Sequence, residues 1–111
     1  MKATIWHNPA CGTSRKTLAL LEAASAEVQV VRYRDDPPDG ATLQRLYARA
    51  GLRPLDGVRH KEAGAAALGG ATDEMVLTAM AANPTLIERP LVATDKGVRL
   101  CRPPERVHKI L

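Results

Sequence analysis

The first third of the chain predicts a strand, a helix and a second strand, and this order most limits what the chain can fold into. A β-prone run at Lys2–Trp6 stops at an Asn-Pro turn signal. Helical spacing of apolar residues starts at Thr13, with Thr13 or Ser14 as the expected N-cap, and Val28–Val31 is again β-prone. Strand, helix and strand within about 30 residues form a βαβ unit, which favours a parallel strand pair joined by a right-handed crossover.

Helices dominate the middle of the chain. Asp39 caps a predicted second helix that stops at Gly51, and Thr72 caps a third helix that stops at Asn83. The stretch 53–70 between them contains four glycines. Because glycine interrupts helical patterns, this stretch predicts a short helix or turn followed by a loop.

The end of the chain predicts a hairpin and a last helix. The β-prone runs Pro90–Ala93 and Val98–Cys101 flank residues 95–97, a turn that ends in glycine. A helix is expected from Pro103 to Leu111, with proline tolerated in its first turn. The order βα β αα ββα indicates an α/β fold with a mixed sheet of about four strands. Since neither an internal repeat nor a linker is visible, residues 1–111 are expected to form a single domain.

Composition excludes several classes of protein. The 111 residues include 16 Lys and Arg against 12 Asp and Glu, and 45% are hydrophobic, which is typical of a globular chain. Three aromatic residues do not make a base-stacking surface, and a net charge of +4 forms no basic stripe, so we expect no nucleic-acid partner. No window approaches the roughly 18 apolar residues of a membrane span, and no signal peptide is visible. We therefore expect a cytoplasmic protein with no membrane partner.

The two cysteines, Cys11 and Cys101, are expected to be thiols, because a chain without an export signal stays in a reducing compartment. A disulfide between them would require Cα atoms within about 7 Å of each other. Two thiols and three histidines show no metal-binding spacing, so no metal site is expected. Cys101 lies inside a β-prone run and is interpreted as a structural thiol.

Cys11 lies where the first strand ends and the first helix begins. Free backbone N–H groups and the helix dipole at such a position favour thiolate over thiol and would also hold an oxyanion. Arg15 and Lys16 add positive charge, and His7 approaches Cys11 if the loop folds back. These features predict a reactive thiol, against the alternative of a small cysteine buried in a βα turn.

The residues after Cys11 bear on both readings. Gly12, Thr13 and Ser14 form a polar, flexible continuation that exposes the turn and argues against a buried cysteine. Ser14 stands where a dithiol enzyme has its second cysteine. A route through an external thiol is therefore favoured over an internal disulfide.

Two arginines adjoin prolines at predicted strand ends. Arg89 precedes Pro90 before one strand, and Arg102 precedes Pro103 after the next. The planar guanidinium group suits two-point contact with a tetrahedral oxyanion. We therefore single out Arg89 and Arg102 among eleven arginines, most of which are surface charge.

These segments resemble one known family. The family's pattern is matched, in order and over nearly the whole chain, by His7–Arg15, Asp36–Pro38, Asn83-Pro84, Arg89–Val92 and Arg99–Pro103. Their sequence is similar to that of the glutaredoxin-coupled arsenate reductases. The resemblance implies a thioredoxin-like (glutaredoxin-like) fold with a helical insertion before a cis-proline strand.

The resemblance also implies roles for individual residues. Cys11 would be the nucleophile, His7 would help keep it as thiolate, and Pro90 would be the cis-proline. The arsenate-binding arginines would be Arg59, Arg89 and Arg102. No bound cofactor is implied, since glutathione would serve as co-substrate and a glutaredoxin as partner.

Two alternatives stay open from the residues. One is a glutathione-dependent thiol-disulfide reductase, for which arginines around the thiol have no oxyanion to bind. The other is a non-enzymatic redox-sensing transcription regulator that binds RNA polymerase. Such regulators commonly carry two cysteines as the switch, and Ser14 replaces the second.

Overall fold

Two compact units make up the chain in the computed structural model, which describes every residue from Met1 to Leu111. One unit contains residues 1–36 and 89–111, and the other contains residues 37–88. The second unit is thus an insertion in the sequence of the first. The single domain expected from the sequence stays a prediction.

A four-stranded mixed sheet forms the first unit. Its elements are β1 (Lys2–His7), α1 (Gly12–Ala23), β2 (Glu27–Arg32), β3 (Leu91–Thr94) and β4 (Gly97–Leu100). The strand order is β2-β1-β3-β4, with β1 parallel to β2 and antiparallel to β3, which in turn pairs antiparallel with β4. The parallel pair and the mixed sheet predicted from the sequence are confirmed.

Alternation along β1 directs one row of side chains into the core of this unit. Ala3 and Ile5 point to the same side and are almost fully buried. They pack with Leu21 of α1 and with apolar residues of Pro104–Ile110, the last helix of the chain. One face of the sheet is therefore covered by α1 and by this last helix, which fixes where α1 begins relative to β1.

The second unit is helical. It contains α2 (Gly40–Ala50) and α3 (Asp73–Ala82), with 3-10 helices at Pro54–Gly57, Ala65–Leu68 and Pro84–Leu86. The predicted caps are confirmed: Asp39 accepts a hydrogen bond from the N–H of Thr42, and Thr72 accepts one from the N–H of Met75. Gly51 ends α2 in the left-handed conformation, at a φ of 70°.

Local predictions needed three corrections. The N-cap of α1 is Cys11, not Thr13 or Ser14, because the Ser14 hydroxyl is already bonded outside the helix. The last helix is of the 3-10 type and runs from Pro104 to Ile110. The hairpin strands β3 and β4 have the expected four residues each, but both lie one residue nearer the turn, so Pro90 and Cys101 fall just outside them.

The peptide bond between Arg89 and Pro90 is cis, as the resemblance implied, and the bond between Arg102 and Pro103 is also cis. No helix of the structure combines the length and the apolar character needed to cross a bilayer.

Candidate active site

A four-residue loop carries Cys11 from the end of β1 to the start of α1. The N–H of Cys11 donates to the carbonyl of Asn8 at 3.0 Å, and the Asn8 side-chain oxygen accepts from the N–H of Ala10 at 3.0 Å. Arg15 adds a third restraint, because its guanidinium donates to the Pro9 carbonyl at 2.9 Å. The loop is thereby closed on itself, with the Cys11 thiol, partly exposed, at the N-terminus of α1.

The electrostatic environment favours the Cys11 thiolate. Partial burial raises the pKa of this thiol, but the N–H of Ser14, the Arg89 guanidinium and the Arg102 guanidinium donate to the sulfur and outweigh burial. The Arg102 Nη1 atom lies 3.8 Å from the sulfur. The net effect is a pKa below the ordinary value, which increases the fraction of nucleophile at neutral pH.

Arg89 and Arg102 reach Cys11 from two ends of the hairpin. Arg89 precedes β3, and Arg102 follows β4 by two residues. Because β3 and β4 are antiparallel neighbours, the start of β3 lies beside the end of β4, and the two arginines lie at the same end of the sheet. Nη1 of Arg102 also donates to the Arg89 carbonyl at 3.1 Å, which ties the two strand ends together. The structure thus brings together the thiol and two of the three predicted arginines.

His7 is buried and does not act as a cation. Its Nδ1 atom lies 2.6 Å from Ser14 Oγ, which also accepts from the N–H of Asn8 at 3.1 Å. Burial, followed by the charges of Arg32 and Arg15, lowers the pKa of His7 below its ordinary value, so the ring is neutral at pH 7. Its link to Cys11 runs through Ser14, and the imidazolium that would attract a thiolate is not present.

Gly12 and Thr13, also expected to support the site, form the first turn of α1. Gly12 is exposed, and the Thr13 carbonyl accepts a hydrogen bond from the Thr17 hydroxyl at 2.9 Å. Pro90 is buried directly before β3, and its carbonyl accepts from the N–H of Cys101 at 2.9 Å. These residues shape the backbone of the site.

Arg59 lies in the second unit. Its Nε atom is 3.4 Å from a Glu62 carboxylate oxygen, and its N–H donates to the Leu86 carbonyl at 2.7 Å. Its expected role as the third oxyanion ligand stays a prediction.

The second cysteine is chemically different from the first. Cys101 is fully buried in the core of the first unit, and both cysteines are free thiols. Burial raises the pKa of the Cys101 thiol to about 12, although the charges of Arg106 and Arg99 oppose this. Cys101 is therefore protonated and shielded at neutral pH. No group of three or more His, Cys, Asp or Glu side chains is placed to hold a metal ion.

Sequence reasoning missed two residues of the site, Asn8 and Tyr33. In the sequence Asn8 indicates only a turn, yet its carbonyl and side chain shape the loop. Tyr33 follows β2 and is fully buried. The register of the parallel pair, once known, is the signal that places Tyr33 beside this loop.

Comparisons with known proteins identify relatives over the whole chain. Residues 6–110 match the model of the ArsC family. The chain is 47% identical to "Arsenate reductase" of Rhizobium meliloti (strain 1021), with 100% of this chain and 82% of the relative covered. It is 40% identical to "Arsenate reductase" of Escherichia coli, with 97% and 79% covered. A solved arsenate reductase structure from Vibrio cholerae superposes with a TM-score of 0.93 at 40% identity, with 100% of this chain and 98% of that one covered.

Proposed function

Because the chain belongs to the ArsC family and has its thioredoxin-like fold, we propose that it is an arsenate reductase whose nucleophile is Cys11. The observation that carries this proposal is the geometry at the sulfur, where a helix N-terminus and two guanidinium groups converge on a partly exposed thiol. A disulfide bond presents no oxyanion to these arginines at the reacting sulfur. A tetrahedral oxyanion would use both.

The reaction begins with arsenate held by Arg89, Arg102 and the N-terminus of α1, with Arg59 as the expected third arginine. The Cys11 thiolate attacks arsenic, and one arsenate oxygen leaves as water after protonation. Binding dominated by guanidinium groups offsets the repulsion between two anions, which otherwise opposes this step.

Reduction requires two electrons from thiols. The glutathione thiol replaces a second oxygen on the arsenic of the Cys11 adduct, and that oxygen leaves as water. A glutaredoxin thiolate then attacks the glutathione sulfur, so the arsenic–glutathione bond breaks and the glutathione leaves as a mixed disulfide with glutaredoxin. The electron pair left on arsenic reduces it from the +5 to the +3 state. Water then hydrolyses the bond between Cys11 and arsenic(III), which releases arsenite and regenerates Cys11 as a thiol.

Charge supports anionic partners for the first unit. Residues 1–36 and 89–111 carry eleven Lys and Arg against six Asp and Glu, a net charge of +5. Residues 37–88 carry five against six, a net charge of −1. The field around Cys11 therefore attracts arsenate and the carboxylates of glutathione, and it favours an acidic docking face on the glutaredoxin.

Arsenite formation from arsenate, with glutathione, glutaredoxin and glutathione reductase, tests the proposal. Wild type is expected to turn over, Cys11→Ser to be inactive, and the matched control Cys101→Ala to retain activity. A second assay replaces glutathione and glutaredoxin with a thioredoxin system. It tests which reductant the protein uses, independently of whether arsenate is its substrate. An active Cys11→Ser variant would refute the nucleophile. An inactive wild type with a reactive Cys11 would favour the two alternatives, a thiol-disulfide reductase or a regulator that binds RNA polymerase.

A further inference from the structure

The side chain of Tyr33 carries an unexplained polar group beside the site. Its ring is 0% exposed, and its hydroxyl oxygen is buried with no hydrogen bond of good geometry. The Asn8 amide group is near enough to lower the pKa of Tyr33 as a donor would, but the two groups do not meet at hydrogen-bond distance and angle. Native proteins rarely leave a buried hydroxyl in this condition, because phenylalanine would fill the same space without desolvating an oxygen.

Strand register places Tyr33 next to the arginine site. The last pair of the parallel ladder sets His7 opposite Arg32, and the last pair of the antiparallel ladder sets Trp6 opposite Leu91. Asn8 follows β1, Tyr33 follows β2, and Arg89 lies two residues before β3, so all three lie at the same end of the sheet. Tyr33 and Arg89 therefore lie at the strand ends on either side of β1, which leads into the Cys11 loop.

Electrostatics agrees with this placement. Burial raises the pKa of Tyr33, the Arg89 charge opposes the rise, and the Cys11 thiolate adds to it. The phenol is therefore protonated at neutral pH and lies within the field of both groups. A neutral phenol oxygen still offers lone pairs to a guanidinium N–H.

We propose that Tyr33 is a positioning residue for Arg89, whose guanidinium donates to the Tyr33 hydroxyl when Arg89 turns from the Cys11 sulfur to a bound oxyanion. The inference rests on the proposed function, in which Arg89 binds arsenate. In the free protein Arg89 donates to the thiolate. Once that sulfur bonds to arsenic, its negative charge is lost and the planar guanidinium group of Arg89 reorients. The phenol oxygen then accepts from N–H groups on one edge of the guanidinium, so that its other edge faces the oxyanion.

Tyr33→Phe removes only the hydroxyl, and Tyr47→Phe is the matched control. Tyr47 is the other tyrosine of the chain, is equally buried, and has a hydroxyl that contacts Met80 in the second unit. Arsenate affinity is measured by calorimetry without thiol reductants, alongside KM, kcat and urea unfolding. Tyr33→Phe is expected to weaken arsenate binding and to raise KM by about tenfold. Its free-state stability should stay equal or rise, while Tyr47→Phe leaves affinity and KM unchanged.

A double-mutant cycle identifies the residue through which Tyr33 acts. In an Arg89→Lys background, Tyr33→Phe should change arsenate affinity by less than about twofold, whereas in an Arg102→Gln background it should again cost about tenfold. Unchanged affinity in Tyr33→Phe, or an equal loss in both backgrounds, would overturn the proposal. So would a marked loss of stability, since the hydroxyl would then serve the fold. Wild type that binds arsenate without reducing it would refute the proposed function alone; wild type that binds none would refute both.

Discussion

Replacing Ser14 by alanine perturbs the connection between β1 and the N-terminus of α1. The Ser14 hydroxyl bonds to His7 Nδ1 at 2.6 Å and accepts from the Asn8 N–H at 3.1 Å, and all three residues are buried. Alanine leaves two buried polar groups without a partner, at about 1 to 3 kcal/mol each. Allowing for partial relaxation, we expect Ser14→Ala to lower the free energy of unfolding by about 2 to 4 kcal/mol, a large share of the 5–15 kcal/mol of a typical domain.

Urea unfolding measures this loss, and Thr17→Val is the matched control. Thr17 is also a buried hydroxyl residue of α1, but it donates only to the Thr13 carbonyl within the helix, so its loss should cost less than about 1 kcal/mol. A second readout is thiolate absorbance at 240 nm. The Cys11 titration is resolved because Cys101 has a pKa of about 12. The pKa of Cys11 should rise in Ser14→Ala, because the donating N–H of residue 14 is less firmly held. If Ser14→Ala were as stable as Thr17→Val and the pKa of Cys11 did not change, the hydrogen bonds of the Ser14 hydroxyl would contribute neither to stability nor to the thiol pKa.

Three further outcomes are expected. Arg102→Gln should raise the pKa of Cys11, since the guanidinium hydrogen bond to the sulfur is lost and the shorter amide does not replace it. The rate of alkylation by iodoacetamide at pH 7 should then fall, and an unchanged rate would contradict this. The pKa of His7 is lowered in the folded state, so below about pH 6.5 the unfolded chain binds a proton at His7 more readily than the folded chain does. The free energy of unfolding should therefore decline as pH falls below about 6.5, and His7→Gln should flatten that decline in urea unfolding measured at a series of pH values. Gly57→Ala should cost about 1 to 3 kcal/mol by thermal unfolding, because a methyl group there overlaps the Tyr47 ring, whereas a neutral result would mean that the ring moves freely.

Local signals were sufficient where a residue's partner lies nearby in sequence. Asp39 and Thr72 were identified as caps because each accepts from the N–H three residues on, within reach of any such side chain. The thiol at the start of α1 was identified for the same reason, since strand, turn and helix are consecutive. The two strands and one helix of residues 1–32 were predicted within a residue or two.

Predictions failed where a distant partner decides the outcome. Ser14 was expected as a possible helix cap, but its hydroxyl bonds to His7 at the end of β1 instead. His7 was expected to help keep Cys11 as thiolate, but burial and neighbouring arginines keep its ring neutral, so any such help does not come from a positive charge. The importance of Tyr33 depends on a strand register that links it to Asn8, which single-sequence periodicity does not contain.

The two arginines at the sulfur have consequences for how the proposed reaction is driven. The donors that stabilise the Cys11 thiolate, Arg89 and Arg102, are the same groups expected to bind the oxyanion. A free thiolate therefore competes with substrate oxygens for the same N–H groups. When sulfur bonds to arsenic its charge disappears, and those donors become available to the oxygens of the adduct. Because attack moves negative charge from the sulfur to the arsenate oxygens, donors placed to reach both atoms can follow that charge and stabilise the transition state.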